Sequence, residues 1–298
     1  MKVLFVAKTT APWHNGVRMY WASDRLGYQS EIISIDAPVR RFRKQLTEYQ
    51  PDWVIITGSR LDWNVYEICK EYAKVCVWCA DCVDEGRLGQ WKRLTGLLDC
   101  AFTPILTLPE LLKERGITDN AAWMPQFWDQ TYTRPFGHTT ASEICHIRTP
   151  GDSLREKWEK GLSTYYKAKF VGGWKVPDAV RGNLAGNAYA ASKIAISIPR
   201  KNKWVCDGYS DRIFNAIGCK SLFLQYDSPG LDRLFEVGKH FDIYDGTYKG
   251  LVDKINFYLD NDKLRSEIAT AGQKHALKYH TVDVRVKEMW EHLCALQS

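Results

Sequence analysis

The sequence predicts an α/β protein made of two parallel-sheet halves, and three observations carry that prediction. Short apolar runs alternate with helical patterns along nearly the whole chain, the order expected of parallel α/β layers. The alternation breaks once, at a stretch rich in Thr, Pro, Gly and His over residues 129–140, and then restarts. With 298 residues, 45% of them hydrophobic, the chain is long enough for two domains of ordinary size and apolar enough for two cores.

In the first half, residues 2–7 form an apolar strand, followed by a loop over 9–16 and a helix that ends at Gly27. Residues 30–36 supply the next strand, 40–49 a basic amphipathic helix, and Pro51 opens a strand over 53–56. The unit then repeats: helix 66–72, strand 75–78, helix 90–97, strand 99–102, helix 109–115 and a short strand 122–124. This series makes one Rossmann-like half, and the loop over 129–140 is the interdomain linker.

The second half restarts with a strand at 144–147, a helix at 153–162, a strand at 168–171 and a turn at 180–182. A short helix at 189–192 and a strand at 194–198 follow. The most informative segment is 208–239. A helix opens near Arg212, Phe214 and Ala216, and residues 221–224 form an apolar strand. The chain then turns at Asp227, Ser228, Pro229 and Gly230 before a helix expected over 231–236. A turn between a strand's carboxyl end and a helix N-terminus presents free N–H groups and a helix dipole to a phosphate, so this segment suits a nucleotide diphosphate. Helices over 251–258, 263–279 and 282–296 complete the chain.

Several function classes are excluded or weakened by composition. The first strand has five apolar residues between Lys2 and Lys8, too few for the core of a signal peptide, and no apolar run approaches the roughly 20 residues of a membrane span. A soluble, cytoplasmic protein is expected. Nine cysteines in such a chain read as reduced thiols. Cys76, Cys79 and Cys82 have cluster-like spacing but lack a nearby fourth ligand, and Cys76 falls in a buried strand, so no metal site is assigned. The net charge is +6, and Arg40, Arg41, Arg43 and Lys44 crowd one helix. With 12 tryptophans and 15 tyrosines available for stacking, a basic face of this kind suits a nucleic-acid acceptor, or is simply a solvated helix face.

The residues Ser210, Arg212, Phe214, Asn215 and Ala216, then Pro229, Gly230, Leu231, Leu234, Phe235, Gly238, Lys239, Tyr244 and Asp245 resemble the glycosyltransferase group 1 module of CgeB-like spore-maturation proteins. The resemblance is good over about the last 90 residues and looser before them. It implies a GT-B architecture, two Rossmann-like domains facing across a cleft, with an acceptor-side domain at 1–139 and a nucleotide-sugar domain at 140–280. A terminal helix at 281–298 would cross back to the first domain. It also implies a metal-independent glycosyltransferase with no cofactor beyond its co-substrate, a nucleotide-diphosphate sugar such as a UDP-sugar.

The resemblance further assigns sites. Arg212 would meet the donor diphosphate, together with Ser210, Ser228, Pro229, Gly230, Leu231 and Lys239. The family's ribose-gripping glutamate is Asn215 here, which can bond a diol but lacks a carboxylate's charge. Where the family places a small Gly-Ser loop, this chain has Arg148, Thr149, Pro150, Gly151 and Asp152. Arg148 and Arg155 would steady the leaving phosphates, although Arg155 falls in the exposed pattern of its helix. Asp81 and Asp84, in a Trp78-Cys79-Ala80-Asp81-Cys82-Val83-Asp84 segment like the family's tryptophan and paired-aspartate stretch, would orient the acceptor hydroxyl or take its proton, or else cap a helix. His14, Asn15 and Gly16 belong to the acceptor side, with Arg40, Arg41, Arg43 and Lys44. In size and charge the chain is similar to bacteriophage enzymes that glycosylate hydroxymethylated pyrimidines in DNA. That makes DNA the acceptor expected here, with a cell-surface or spore glycan, or a non-catalytic sugar-nucleotide or nucleic-acid binding role, as alternatives.

Overall fold

The computed structural model describes residues 1–58, 62–79, 85–135, 141–148, 151–172, 180–199 and 209–297, with only the backbone of Glu85 and Arg87. The chain divides into two compact units, one formed by Met1–Gln126 with Val282–Ser298 and the other by Phe127–Lys203 with Tyr209–Thr281. Each is built on a wholly parallel sheet, as the alternation of elements requires. No helix among the described residues is long and apolar enough to cross a membrane.

The first unit holds six strands: β1 (Val3–Ala7), β2 (Ser30–Ser34), β3 (Trp53–Thr57), β4 (Lys74–Trp78), β5 (Cys100–Thr103) and β6 (Ala121–Trp123). Their order is β2-β1-β3-β4-β5-β6. β1 and β3 are buried along their whole length because both faces carry helices, which is why they read as unbroken apolar runs. The helices are α1 (Asn15–Arg25), α2 (Val39–Tyr49), α3 (Trp63–Lys70), α4 (Glu85–Trp91) and α5 (Leu108–Glu114). The helix expected at 90–97 starts earlier, as α4, and tightens into a 3-10 turn at Lys92–Leu94. The helix expected at 66–72 begins one turn sooner, directly after Asp62.

In the second unit the strands are β7 (Ser142–Arg148), β8 (Ala168–Gly172), β9 (Ser192–Ile196), β10 (Leu222–Tyr226) and β11 (Asp242–Tyr244), in the order β11-β10-β9-β7-β8. The helices are α6 (Ser153–Tyr165), α7 (Asn183–Ala190), α8 (Arg212–Gly218), α9 (Tyr248–Asp260) and α10 (Asp262–Tyr279). Ile144, Ile194, Ile196, Leu222 and Leu224 meet Trp158, Leu162, Leu251 and Ile255 in its core. The last helix, α11 (Val282–Ala295), belongs to the first unit and packs on α1. There Asp283 pairs with Arg25 at 2.5 Å, and Trp290 stacks on Tyr28 at 4.5 Å.

Two expectations fail in the second unit. The helix placed at 189–192 is the end of α7, and Ser192 already belongs to β9. The Ser192 hydroxyl is held 2.7 Å from Ser142 Oγ and 2.6 Å from the Ala188 carbonyl, which pins the strand start. The helix expected over 231–236 is a run of turns. Gly230 sits at φ +86°. The Leu234 carbonyl, which a helix would use internally, faces the Nε2 atoms of His275 and His280 at 2.8 and 2.9 Å. The Glu236 amide is likewise taken, donating to His240 Nδ1 at 3.1 Å. Side chains from the following segment thus outbid the helical pattern.

Candidate functional site

A polar arrangement in the second unit surrounds Arg212 at the start of α8. Its Nε donates to Ser210 Oγ at 2.8 Å. Its Nη1 lies 3.1 Å from His146 Nε2 and 3.3 Å from the Ile147 carbonyl, both on β7. Arg212 is half-buried rather than buried, and among the described residues it pairs with no carboxylate. The three partners of its side chain among the described residues are formally neutral, so they hold the guanidinium in place without cancelling its charge.

Behind it lies a network that sequence reasoning missed. His146 is wholly buried, and its Nδ1 lies 2.9 Å from Glu159 Oε1 on α6. Glu159 also receives Arg148 through Nε at 3.0 Å and Nη2 at 2.8 Å. Burial raises the Glu159 carboxyl, but the bonds from His146 and Arg148 outweigh it and leave the group below its ordinary value. Burial lowers His146 to about 4 against the opposing pull of Glu159, with Arg212 adding to the fall, so the ring is neutral at pH 7. In sequence, His146 is the single polar residue of the apolar run 144–147, and its partner lies 13 residues on across a turn, so periodicity alone could not have found the pair.

Arg148, expected near the donor phosphates, is therefore engaged by Glu159. Arg155, expected on an exposed helix face, is buried: 2% exposed, with Nε donating to the Ile198 carbonyl at 2.9 Å. The helical pattern misleads because the first turn of α6 lies over the strand ends. Asp152 caps that turn, accepting from the amides of Leu154 and Arg155 at 3.1 and 3.2 Å, a contribution of about 1 kcal/mol. Asn215, one turn into α8, is buried, and its Nδ2 donates to Asp211 Oδ2 at 3.3 Å. Its Oδ1 is buried with no hydrogen-bond partner among the described residues.

The turn after β10 keeps part of its expected character. Ser228 is buried, its Oγ accepting from Gln225 Nε2 at 3.2 Å, and the Leu231 amide donates to the Ser228 carbonyl at 3.3 Å. Pro229 is exposed and Gly230 supplies the left-handed residue. Because no helix follows, the helix dipole expected there for a phosphate is absent from this turn. Lys239 is exposed and pairs with Glu236 at 2.7 Å.

In the first unit, His14 precedes α1 and its Nε2 lies 3.4 Å from Thr10 Oγ1. Asn15 accepts from Arg18. Gly16 is a packing residue: a Cβ there would come within 2.3 Å of Thr57 Oγ1 and 2.4 Å of Ala7 Cβ, so only glycine lets α1 approach the ends of β1 and β3. Along α2, Arg40 and Arg41 are exposed, Arg43 is paired with Glu71, and Lys44 lies 3.7 Å from Glu48. Asp81, Asp84 and Cys82 lie outside the described residues. Cys76 and Cys79 are buried, and among the described residues no group of three His, Cys, Asp or Glu is placed to hold a metal ion.

Residues 142–291 match the family described as Glycosyl transferase-like, which is half of the chain. The chain belongs to this family. The match spans β7 to most of α11 and so includes His146, Glu159, Arg212 and the turn at Gly230. A glycosyltransferase from Rickettsia africae superposes with a TM-score of 0.68 at 13% identity, covering 100% of this chain and 98% of its own. HepE from Anabaena, solved with UDP and glucose, gives 0.68 at 10% identity over 99% and 100% of the two chains. Sucrose-phosphate synthase from Thermosynechococcus elongatus gives 0.66 at 9% identity over 99% of each. At these identities the likeness concerns the fold, and the two parallel sheets are those of the GT-B glycosyltransferases. No curated protein sequence matches the chain.

Proposed function

We propose that this glycosyltransferase-family chain moves a sugar from a nucleotide-diphosphate sugar, a UDP-sugar in the first instance, to an acceptor hydroxyl. The observation that carries this reading is the Arg212 guanidinium, fixed at the end of β7 by Ser210, His146 and the Ile147 carbonyl and, among the described residues, left without a carboxylate. A held, uncancelled cation suits a leaving diphosphate, whose developing charge it stabilises without reorganising. Asn215 Oδ1, buried and without a partner among the described residues, suits a ribose hydroxyl. The turn at Ser228 and Gly230, with Arg155, would border the phosphates, and Asp81 or Asp84 would orient the acceptor. UDP is supported as the nucleotide by a structural neighbour, HepE, which was solved in complex with UDP and with UDP-glucose.

The finer acceptor reading is a hydroxymethylated pyrimidine in DNA. It rests on the basic face of α2, of which Arg40 and Arg41 stay exposed while Arg43 and Lys44 are engaged with Glu71 and Glu48. The deciding experiment measures nucleoside diphosphate release from UDP-, GDP-, ADP- and dTDP-sugars with hydroxymethylated DNA, unmodified DNA or no acceptor. Release that depends on hydroxymethylated DNA is the expected result. Slow release regardless of DNA would keep the transferase and move the acceptor to a glycan or small molecule. No release with any donor, alongside saturable nucleotide binding, would make the protein a binder.

A further inference from the structure

The Arg212 site contains a buried histidine whose protonation state can be read from its neighbours. Nε2 of His146 lies 3.1 Å from Arg212 Nη1, and a guanidinium has only N–H donors. Nε2 must therefore present its lone pair, which places the proton on Nδ1, where it is donated to Glu159 Oε1 at 2.9 Å. Arg148 grips the same carboxylate from the other side through Nε and Nη2. Arg212 thus donates to His146, and His146 and Arg148 both donate to Glu159, so the bonds converge on the carboxylate with each donor matched to an acceptor.

We propose that His146 is a positioning residue for donor binding: a neutral, Nδ1-protonated imidazole, locked by Glu159, that accepts from Arg212 and aims its guanidinium at the donor diphosphate. This rests on the reading that Arg212 meets the diphosphate. A carboxylate in the same place would hold Arg212 more tightly but would cancel its charge, and an apolar residue would leave Nη1 with only the Ile147 carbonyl. A neutral acceptor orients the cation and leaves its charge for the ligand.

The arrangement has a pH signature. The charged groups acting on the ring are Glu159 and Arg155 from α6 and Arg212 from α8, with Arg148 reaching it through Glu159. Burial holds the imidazole below its usual 6.5, at about 4, so the device is intact at neutral pH. Below that value Nε2 gains a proton, the lone pair that Arg212 uses is lost, and two cations face each other. Because the folded value is lowered, the contribution to stability is fully present above about pH 6.5 and is lost as pH falls towards 4, whereas the contribution to binding persists until the folded ring itself gains a proton near 4.

The test combines nitrogen-15 NMR of the wild-type ring with UDP-glucose affinity of wild type, His146→Leu and His146→Gln from pH 8 to pH 4.5. UDP-glucose is the probe because its diphosphate is a diester and does not titrate in this range. The expected NMR result at pH 7 is a protonated Nδ1 and a bare Nε2, assigned by difference against His146→Gln. In affinity, His146→Leu is expected to weaken binding by about tenfold, the scale of one hydrogen bond to a charged group. His146→Gln, whose amide oxygen can reach the Nε2 position, should recover most of it. The wild-type affinity should fall below about pH 5, a fall that His146→Gln lacks. An Nε2-protonated or doubly protonated ring at pH 7 overturns the proposal, even if the Leu variant fails to fold. So does a Gln variant as weak as the Leu variant, which would mark a merely structural role. If wild type binds no UDP-glucose at any pH, the donor reading falls and the role of His146 with it, whereas a binding wild type with unaffected variants sinks His146 alone.

Discussion

β1 and β7 open the two sheets and occupy interior positions in them, yet they are built on opposite principles. β1 is Val3–Ala7, apolar from end to end, and the helix after it closes in through Gly16 by backbone contact. β7 carries His146 and Arg148, and the helix after it closes in through Glu159, which is hydrogen-bonded to both, while Arg155 of the same helix donates to the Ile198 carbonyl just past β9. Burying polar groups costs stability unless each finds a partner, so the second arrangement is the more demanding way to join a strand to a helix. It leaves one thing the first does not, a cation held in a defined direction. The contrast separates a half whose opening strand is organised by packing from a half whose opening strand is organised around a charge.

The hardest test of that contrast is Arg212→Ala, for which we expect the largest effect. It removes a cation with three neutral partners, and loss of a charge-assisted contact with a diphosphate should weaken UDP-sugar binding and kcat/KM by about a hundredfold or more. Arg212→Lys should recover little, because an ammonium cannot reach Ser210, His146 and the diphosphate together. Calorimetric titration with UDP-glucose and steady-state kinetics measure both. Wild-type binding by the Ala variant would mean that the polar half is not built for an anion.

Gly16→Ala attacks the packed half and should act on stability instead. The new methyl would overlap Thr57 Oγ1 and Ala7 Cβ, both inside a buried strand end, and overpacking of this kind costs roughly 1–3 kcal/mol. A fall in Tm of several degrees is expected by differential scanning calorimetry, at about 2–4 °C per kcal/mol for a unit of this size. An unchanged Tm would show that α1 slides away at no cost and that Gly16 marks something other than close packing.

The packed half was also the more legible one. Its strands could be placed to within a residue or two because a buried parallel strand must be apolar on both faces, and that leaves a continuous mark such as Val3–Ala7 or Trp53–Thr57. Within the site, Arg212 and Asn215 could be singled out by motif, since they lie within three residues of each other on one helix. His146 and Glu159 could not, because a strand histidine and a helix glutamate become partners only when α6 docks on β7. Arg155 was misjudged for the same reason, its helix having a polar inner face at the strand ends. The missing helix after Gly230 shows a third limit. The local pattern of residues 231–236 is helical, but His240, His275 and His280 claim the Leu234 carbonyl and the Glu236 amide, and those histidines are up to 46 residues away.

The smallest expected effects sharpen the comparison most, because each half contains buried polar atoms without a hydrogen-bond partner among the described residues. One in the first unit is the Tyr66 hydroxyl, and one in the second is Asn215 Oδ1. Tyr66 is wholly buried, and burial holds its hydroxyl far from ionisation. Removing it in Tyr66→Phe should leave stability unchanged or raise it by up to about 1 kcal/mol, because an unsatisfied hydroxyl only costs desolvation. UDP-glucose affinity should stay at the wild-type value. Asn215→Ala should also be nearly neutral for stability, losing only the 3.3 Å contact with Asp211. Its nucleotide affinity should nevertheless fall by about two- to tenfold, the range of one neutral hydrogen bond to a ribose hydroxyl. Urea denaturation and calorimetric titration on both variants separate the outcomes. If Asn215→Ala binds as tightly as wild type, its bare oxygen is a packing defect like that of Tyr66, and the two halves differ less than β1 and β7 suggest.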